Sequence, residues 1–188
     1  MALADAVERP LGSVTTVAPW AHLARRFFGS LRPGGPSPAD EAWVAGALAP
    51  TEAALWQRMS APDRRHAVGV ARAVTAALGD DAVRSVRAAA LLHDVGKIES
   101  GLGPVRRAGV TVLAMVVGRE AGARWSTRGG MLGRAGAYLR HDEIGAALLT
   151  EACSDPLTVA WAREHHLPTD RWTVPADIGA ALKAADDD

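Results

Sequence analysis

The feature that most limits the fold of this chain is a succession of helix signals from Ser37 onward. The stretch 37–41, SPADE, has the capping residue, the early proline and the first-turn acids of a helix start, and 60–63 is similar. No stretch alternates apolar and polar residues with β-branched enrichment, and residues 110–117 are the only plausible competitor for a strand. The sequence therefore predicts an all-α fold.

The expected helices are joined by short connections. A long one starts at the 60–63 signal and is expected to end at about Leu78, before Gly79. Asp80 and Asp81 are expected to cap the next helix, which carries His93. The other helices are expected over residues 37–48, from residue 51, and over 105–125, 131–139, 142–152, 156–165 and 175–185.

The N-terminal part of the chain differs from the rest. Residues 11–31 mix apolar side chains with arginines at spacings that suit a short amphipathic helix. The apolar ones are Trp20, Leu23, Phe27 and Phe28. Such a helix can lie on a membrane surface, but packing on the domain is the simpler interpretation. Three prolines and two glycines then interrupt helix formation over 32–38. We expect an N-terminal appendage and linker over 1–36 and a helical domain over 37–188.

Charge and cysteine content narrow the possible partners. The chain has 21 basic and 21 acidic residues, and this balance argues against a nucleic-acid binder while it allows a small anionic substrate. The single Cys153 excludes an internal disulfide and suits a reducing cytoplasm. The longest apolar run, residues 108–118, is shorter than the roughly 20 residues that span a bilayer. We expect a cytoplasmic location, no nucleic-acid partner and no stable membrane insertion, with the oligomeric state undetermined.

The stretch 101–133 is looser in composition than its surroundings. Glycines at positions 118, 122, 129 and 130 accompany an apolar centre. This pattern is compatible with an inserted helical hairpin or lid. An ordinary pair of packed helices explains it equally well.

Histidine and aspartate residues recur on apolar helix faces. The residues three, four, seven and eight positions after His66 are small or apolar, and His141 has the same pattern. His93, His165 and Asp186 follow apolar residues one turn earlier. For each one, a hydrogen-bonded core position is the simpler interpretation. Together they need partners, because an unpaired buried polar group costs about 2–7 kcal/mol, and one shared cation would satisfy them all.

His93 and Asp94 stand side by side in the stretch 91–97, LLHDVGK. Adjacent helical side chains point roughly 100° apart, so they converge only on a point close to the backbone, such as a bound metal ion. The alternative is a frayed helix end at which His93 caps carbonyl groups and Asp94 is solvated. Lys97 can reach a phosphate oxygen from here, or act as a cation at the helix C-terminus.

The order of His66, then His93-Asp94, then a distant Asp186 resembles the HD superfamily of metal-dependent phosphohydrolases. The resemblance covers residues 56–186. It implies a bundle of about five core helices with the ligands pointing inward, to which this chain adds N-terminal and inserted helices.

Further stretches are similar to the HD-GYP branch of that superfamily. HDVGK at 93–97 and HDEIG at 141–145 match its H-D-x-G-K and H-x-x-x-G segments, and His165-His166 falls where the branch has H-H-E. The glutamate and the D-G-x-G-Y-P loop are absent, since LPTD follows His166. The match with this branch is therefore partial.

The resemblance implies a metal site with a role for each residue. The expected ligands are His66, His93, Asp94, His141, His165, His166 and Asp186. The expected catalytic residues are Asp94, as a bridge to a second ion, and Lys97, as a donor to a phosphate oxygen. Imidazole and carboxylate ligands favour one or two divalent transition metal ions, namely Fe, Mn, Zn or Co.

The implied function is a metal-dependent phosphohydrolase, either a phosphomonoesterase or a phosphodiesterase. It would hydrolyse a nucleotide or another small phosphoester through a metal-activated water. The same ligands are compatible with an HD-fold di-iron oxygenase. They are also compatible with a non-catalytic regulatory module that binds metal or a nucleotide.

Overall fold

A computed structural model describes residues 34–118 and 121–187. Within these ranges the chain forms ten α-helices and no strand, which confirms the predicted all-α fold. The helices are α1 (Pro38–Ala47), α2 (Pro50–Arg58), α3 (Ala61–Leu78), α4 (Arg84–Leu92), α5 (Pro104–Val117), α6 (Ala121–Ser126), α7 (Gly130–Leu139), α8 (His141–Glu151), α9 (Pro156–Glu164) and α10 (Ala176–Asp187). Short 3-10 helices lie at Gly79–Asp81, Val95–Ser100 and Thr169–Arg171. The amphipathic helix expected over 11–31 falls outside the described residues.

The starts of α1 and α3 follow the sequence signals. The hydroxyl oxygens of Ser37 and Ser60 accept hydrogen bonds from the backbone N–H groups of Asp40 at 3.1 Å and Asp63 at 3.3 Å. Helix α3 ends at Gly79, whose φ of 56° is open to glycine without strain. These caps explain why the three boundaries could be predicted.

Two predicted boundaries were wrong. Asp80 and Asp81 do not cap α4, because they form a separate 3-10 turn and α4 begins at Arg84 without a side-chain cap. Helix α5 does not continue to residue 125, since Gly118 takes a φ of 82° and ends it. Residues 110–117 belong to α5, so the strand alternative is excluded.

Helix α4 is the centre of the main core. Leu91 and Leu92 are fully buried, and α4 packs against both α3 and α9. Helix α10 packs on α3, and α8 packs on α9. The largest buried side chains around α4 include Trp56, Trp161, Leu149 and Leu182. Because His93 directly follows α4, this packing places His93 in the interior.

The segment between residues 102 and 139 forms a second, smaller core. Leu102, Val110 and Ala114 pack with Ala135 and Leu139 of α7. Helix α6 also packs on α7, and α7 packs against the short helix at 95–100. The segment is therefore a helical addition beside the main core. Its role as a lid stays a prediction.

Gly96 lets the short helix at 95–100 approach the first turn of α8 closely. A β-carbon built on Gly96 would overlap the carbonyl oxygen of His141 and lie 2.6 Å from the backbone nitrogen of Gly145. The short helix at 95–100 therefore crosses the start of α8 at backbone contact distance. Only glycine fits at this crossing.

Two expectations concern the chain as a whole. Within residues 34–118 and 121–187, no helix has both the length and the apolar content needed to cross a membrane. The domain boundary between residues 36 and 37 stays a prediction.

Candidate metal centre

The site begins where α4 ends. His93 still has helical backbone angles, whereas Asp94, with φ −98° and ψ 8°, leaves the helix and precedes the short helix at 95–100. This change of direction lets two adjacent side chains enter the same interior space. The exposed fractions of His93 and Asp94 are 1% and 4%, so the alternative of a solvated Asp94 at a frayed end is excluded.

The backbone orients three of the imidazole rings. In each ring, Nδ1 lies within hydrogen-bond distance of the carbonyl oxygen three residues earlier. The pairs are His93 with Ala90 at 2.9 Å, His141 with Tyr138 at 2.7 Å, and His165 with Ala162 at 3.0 Å. A carbonyl oxygen can only accept, so Nδ1 donates, and in the neutral ring Nε2 presents its lone pair to the site.

Asp94 lies between two groups of histidines. Its Oδ2 is 3.4 Å from Nε2 of His93 and accepts a hydrogen bond from Nζ of Lys97. Its Oδ1 is 3.2 Å from Nε2 of His141 and 3.9 Å from Nε2 of His165. Each carboxylate oxygen thus faces a different group, which is the geometry that a bridging carboxylate requires.

The first group contains His66, His93 and Asp94, whose ligand atoms all lie within 4.8 Å of one another. Asp186 of α10 adjoins it, with Oδ1 3.0 Å from Nε2 of His66 and 3.4 Å from Nε2 of His93. The side chain of His66 is 33% exposed, so solvent reaches this ring. The structure therefore brings together the four residues that the resemblance assigns to the core site.

The second group contains His141, His165 and His166, again with ligand atoms within 4.8 Å of one another. The Nε2 atoms of His141 and His166 are 3.2 Å apart. The ring centroids of His165 and His166 are 4.0 Å apart. His141 and His165 are buried, whereas His166 is exposed. All seven residues predicted as ligands thus lie in two adjoining groups.

Neighbouring charges fix the ionisation of the residues around Asp94. Burial alone would lower the pKa of His93, but the carboxylates of Asp94 and Asp186 raise it to about 10. Burial would raise the pKa of Asp94, but Lys97 and His93 hold it well below its usual range. The pKa of Lys97 is raised, because the attraction of Asp94 outweighs the effect of burial. Asp94 is therefore ionised and Lys97 is charged.

Two buried nitrogens indicate what the site can bind. Nε2 of His93 and Nε2 of His165 make no hydrogen bond to any described part of the chain, and the nearest carboxylate oxygens lie at 3.4 and 3.9 Å. Burial and the charge of His93 lower the pKa of His165 to about 3, so this ring is neutral. Buried polar atoms without partners are costly, and a divalent transition metal accepts electron pairs from imidazole. The residues therefore fit a bound metal.

Tyr138 was missed by the sequence analysis. Its ring stacks on that of His141, with the centroids 5.7 Å apart and 20° between the planes. Its hydroxyl lies 3.2 Å from Oγ1 of Thr111 on α5. Tyr138 thus links the smaller core to the second histidine group. Tyr138 lies in the last turn of α7 and His141 begins α8, so no pattern within a single helix could have revealed this contact.

A second missed feature is the ion pair between Asp63 and Arg107. Nη1 of Arg107 donates to the two carboxylate oxygens of Asp63 at 2.8 and 2.6 Å. The charge of Asp63 also helps to raise the pKa of Lys97, to a smaller extent than Asp94 and Tyr138. Asp63 stands one turn before His66, so the pair joins α5 to the helix that carries this histidine.

A family model described as HD domain matches residues 64–187, which is more than half of the chain. The matched range contains both histidine groups, Asp94, Asp186 and Lys97. No curated protein and no solved structure matches the chain.

Proposed function

The chain belongs to the HD domain family, and from this premise we propose that it is a metal-dependent phosphohydrolase acting on a nucleotide or another small phosphoester. The observation that carries the proposal is the position of Asp94. Its two oxygens face two groups of histidines, and Lys97 contacts the same carboxylate. A cationic donor next to clustered metal-type ligands is suited to a phosphate oxygen.

We propose that all seven clustered residues hold the metal. They are His66, His93, Asp94 and Asp186 in the first group, and His141, His165 and His166 in the second. The division of Asp94 between the groups supports two ions rather than one. The nitrogen and oxygen donors favour Fe, Mn, Zn or Co.

When bound, a divalent transition metal lowers the pKa of a coordinated water and polarises a phosphoryl oxygen. The chain itself supplies the remaining parts of the reaction. The ionised Asp94 offsets positive charge and positions the two halves of the site. Lys97 donates to a non-bridging phosphate oxygen, where negative charge increases during attack on phosphorus. His66, with 33% of its side chain exposed, and the exposed His166 are the two clustered residues that a substrate can reach from solvent.

The proposal is tested with protein purified without chelator and supplied with Mn²⁺ or Fe²⁺. We expect hydrolysis of at least one member of a broad panel of phosphoesters that includes nucleoside monophosphates, cyclic nucleotides, dinucleotides and small non-nucleotide phosphoesters. His93→Ala removes a buried imidazole that we propose as a metal ligand, and should abolish this activity. Asp177→Asn, at an exposed position on α10, should retain it.

Three results would contradict the proposal. Metal-loaded protein that hydrolyses no panel member would exclude phosphoester chemistry. Oxygen consumption by the iron-loaded protein without phosphate release would indicate an oxygenase on the same fold. Unfolding on metal removal, in a protein that never shows turnover, would indicate a structural metal site.

A further inference from the structure

Tyr138 contacts the ring of His141 with both its backbone and its side chain. Its carbonyl oxygen accepts a hydrogen bond from Nδ1 of His141 at 2.7 Å. Its phenol ring stacks on the imidazole, with 5.7 Å between the centroids and 20° between the planes. The opposite ring nitrogen, Nε2, lies 3.2 Å from Oδ1 of Asp94. Tyr138 therefore limits both the tilt and the rotation of a ring that belongs to the second histidine group.

The break between α7 and α8 makes the backbone contact possible. Tyr138 lies in the last turn of α7, where carbonyl oxygens have no partner further along the helix. His141 is the first residue of α8, so its imidazole can turn back to this carbonyl group. The path of the chain thus fixes one edge of the imidazole. The position of the phenol ring, in contrast, needs a support of its own.

Thr111 of α5 provides that support. The hydroxyl oxygen of Tyr138 lies 3.2 Å from Oγ1 of Thr111, and both residues are partly buried. Thr111 has a single hydroxyl proton, which it donates to the carbonyl oxygen of Arg107 at 3.0 Å. Tyr138 is therefore the donor in its contact with Thr111. The phenol group is held in one orientation, with its proton directed at α5.

Helix α5 is itself fixed to the rest of the domain. Nη1 of Arg107 donates to both carboxylate oxygens of Asp63 on α3. One turn further along α5, Val110 and Ala114 are buried in the smaller core. Thr111 therefore stands on an element that an ion pair and apolar packing hold in place.

We propose that Tyr138 is a positioning residue for the second metal ion and that Thr111 holds it in place. This role rests on the two-ion centre of the proposed function. Groups that orient a metal-binding imidazole typically contribute about 10- to 100-fold to metal affinity. Tyr138 is the only tyrosine of the chain, and the ring on which it stacks is that of His141. Its effect therefore falls on the second histidine group, and the segment between residues 102 and 139 serves to strengthen binding there.

The test measures Co²⁺ binding to the chelator-treated, full-length chain by calorimetry. Wild type should show two binding steps. His166→Ala removes a ligand from the second group alone and so identifies the step that belongs to this group. Tyr138→Phe keeps the aromatic ring and removes the hydroxyl group. It should weaken the second-group step at least about tenfold and leave the other step within about twofold.

Thr111 offers variants that separate the hydrogen bond from packing. Thr111→Val removes the acceptor and should weaken the same step to a similar extent. Thr111→Ser keeps a hydroxyl group and should bind Co²⁺ within about threefold of wild type. The double variant Tyr138→Phe/Thr111→Val should lose no more affinity than either single variant, because both changes remove one hydrogen bond.

Thr75→Val is the matched control for Thr111→Val. Thr75 donates to the carbonyl oxygen of Ala71, four residues earlier in α3, at 2.7 Å, just as Thr111 donates to Arg107 in α5. The control therefore removes the same kind of bond without touching Tyr138. Both Co²⁺ affinities should stay unchanged.

Unchanged Co²⁺ affinities in Tyr138→Phe would overturn this role. An equal loss at both steps would also overturn it, because it would indicate a general effect on the fold. A single binding step in wild type would exclude the second ion altogether. Hydrolysis of the phosphoester panel tests the proposed function separately, since wild-type turnover does not depend on how these variants divide their effect between the two ions.

Discussion

Oδ1 of Asp94 lies 3.2 Å from Nε2 of His141, which joins the end of α4 to the first residue of α8. The other oxygen of the same carboxylate faces His93 at 3.4 Å. One side chain thus connects the two histidine groups.

Lys97 is expected to act on substrate rather than to hold metal. Lys97→Met should therefore keep the bound metal but lower kcat about 100- to 1000-fold, the usual cost of removing one charge-stabilising donor. The chain has one other lysine, Lys183, in an exposed ion pair with Asp187, and Lys183→Met should change neither quantity. Steady-state kinetics and elemental analysis measure both. Full activity in Lys97→Met would contradict the assigned role.

The shifted pKa values of His93 and His165 predict that the free energy of unfolding of chelator-treated protein is greatest near pH 6.5. The fold raises the pKa of His93 from 6.5 to about 10, so its contribution is complete below pH 6.5 and is lost as the pH rises toward 10. The fold lowers the pKa of His165 from 6.5 to about 3, so stability is also lost as the pH falls from 6.5 toward 3. Urea denaturation across this pH range gives the measurement.

Saturating metal provides the control for this pH dependence. Metal competes with the proton for Nε2 of His93, so the loss of stability on the alkaline side should disappear when metal is bound. A chelator-treated protein whose stability rises steadily up to pH 9 would disagree with the electrostatic account of His93.

Gly96 is expected to be intolerant of a side chain. Gly96→Ala puts a methyl group against the backbone of His141 and Gly145, and should lower the free energy of unfolding by about 1–3 kcal/mol. Gly69→Ala is the matched control, because no atom lies within 4 Å of the new methyl group in the middle of α3. This control should stabilise the protein by about 0.5–1 kcal/mol. Equal stabilities of the two variants by urea denaturation would refute the close crossing.

Local signals made much of the fold predictable from the sequence. Ser37 and Ser60 start helices because their hydroxyl groups cap them, and Gly79 ends one because of its backbone angles. Asp80 and Asp81 look like a cap but lie in a turn, since a carboxylate near a helix start is also a common turn residue. The residues around an aspartate in the sequence do not distinguish a helix cap from a turn.

The composition of the site was predictable, but its geometry was not. Helix phase pointed to five of the seven clustered residues, and the family resemblance added Asp94 and His166. The opposed directions of the two Asp94 oxygens depend on the bend after His93 and on the crossing at Gly96, which are tertiary features. Tyr138 and the Asp63–Arg107 pair depend on where the smaller core packs. No pattern within one helix carries that information.

Metal stoichiometry in wild type and Asp94→Asn tests the central claim most directly. Wild-type protein, reconstituted and then dialysed, should retain transition metal, and Asp94→Asn should bind it at least about 100-fold more weakly, because both groups lose the shared carboxylate. Asp177→Asn, exposed on α10, should bind as wild type does. Undiminished metal binding in Asp94→Asn, or no retained metal in the wild type, would contradict a metal centre built around Asp94.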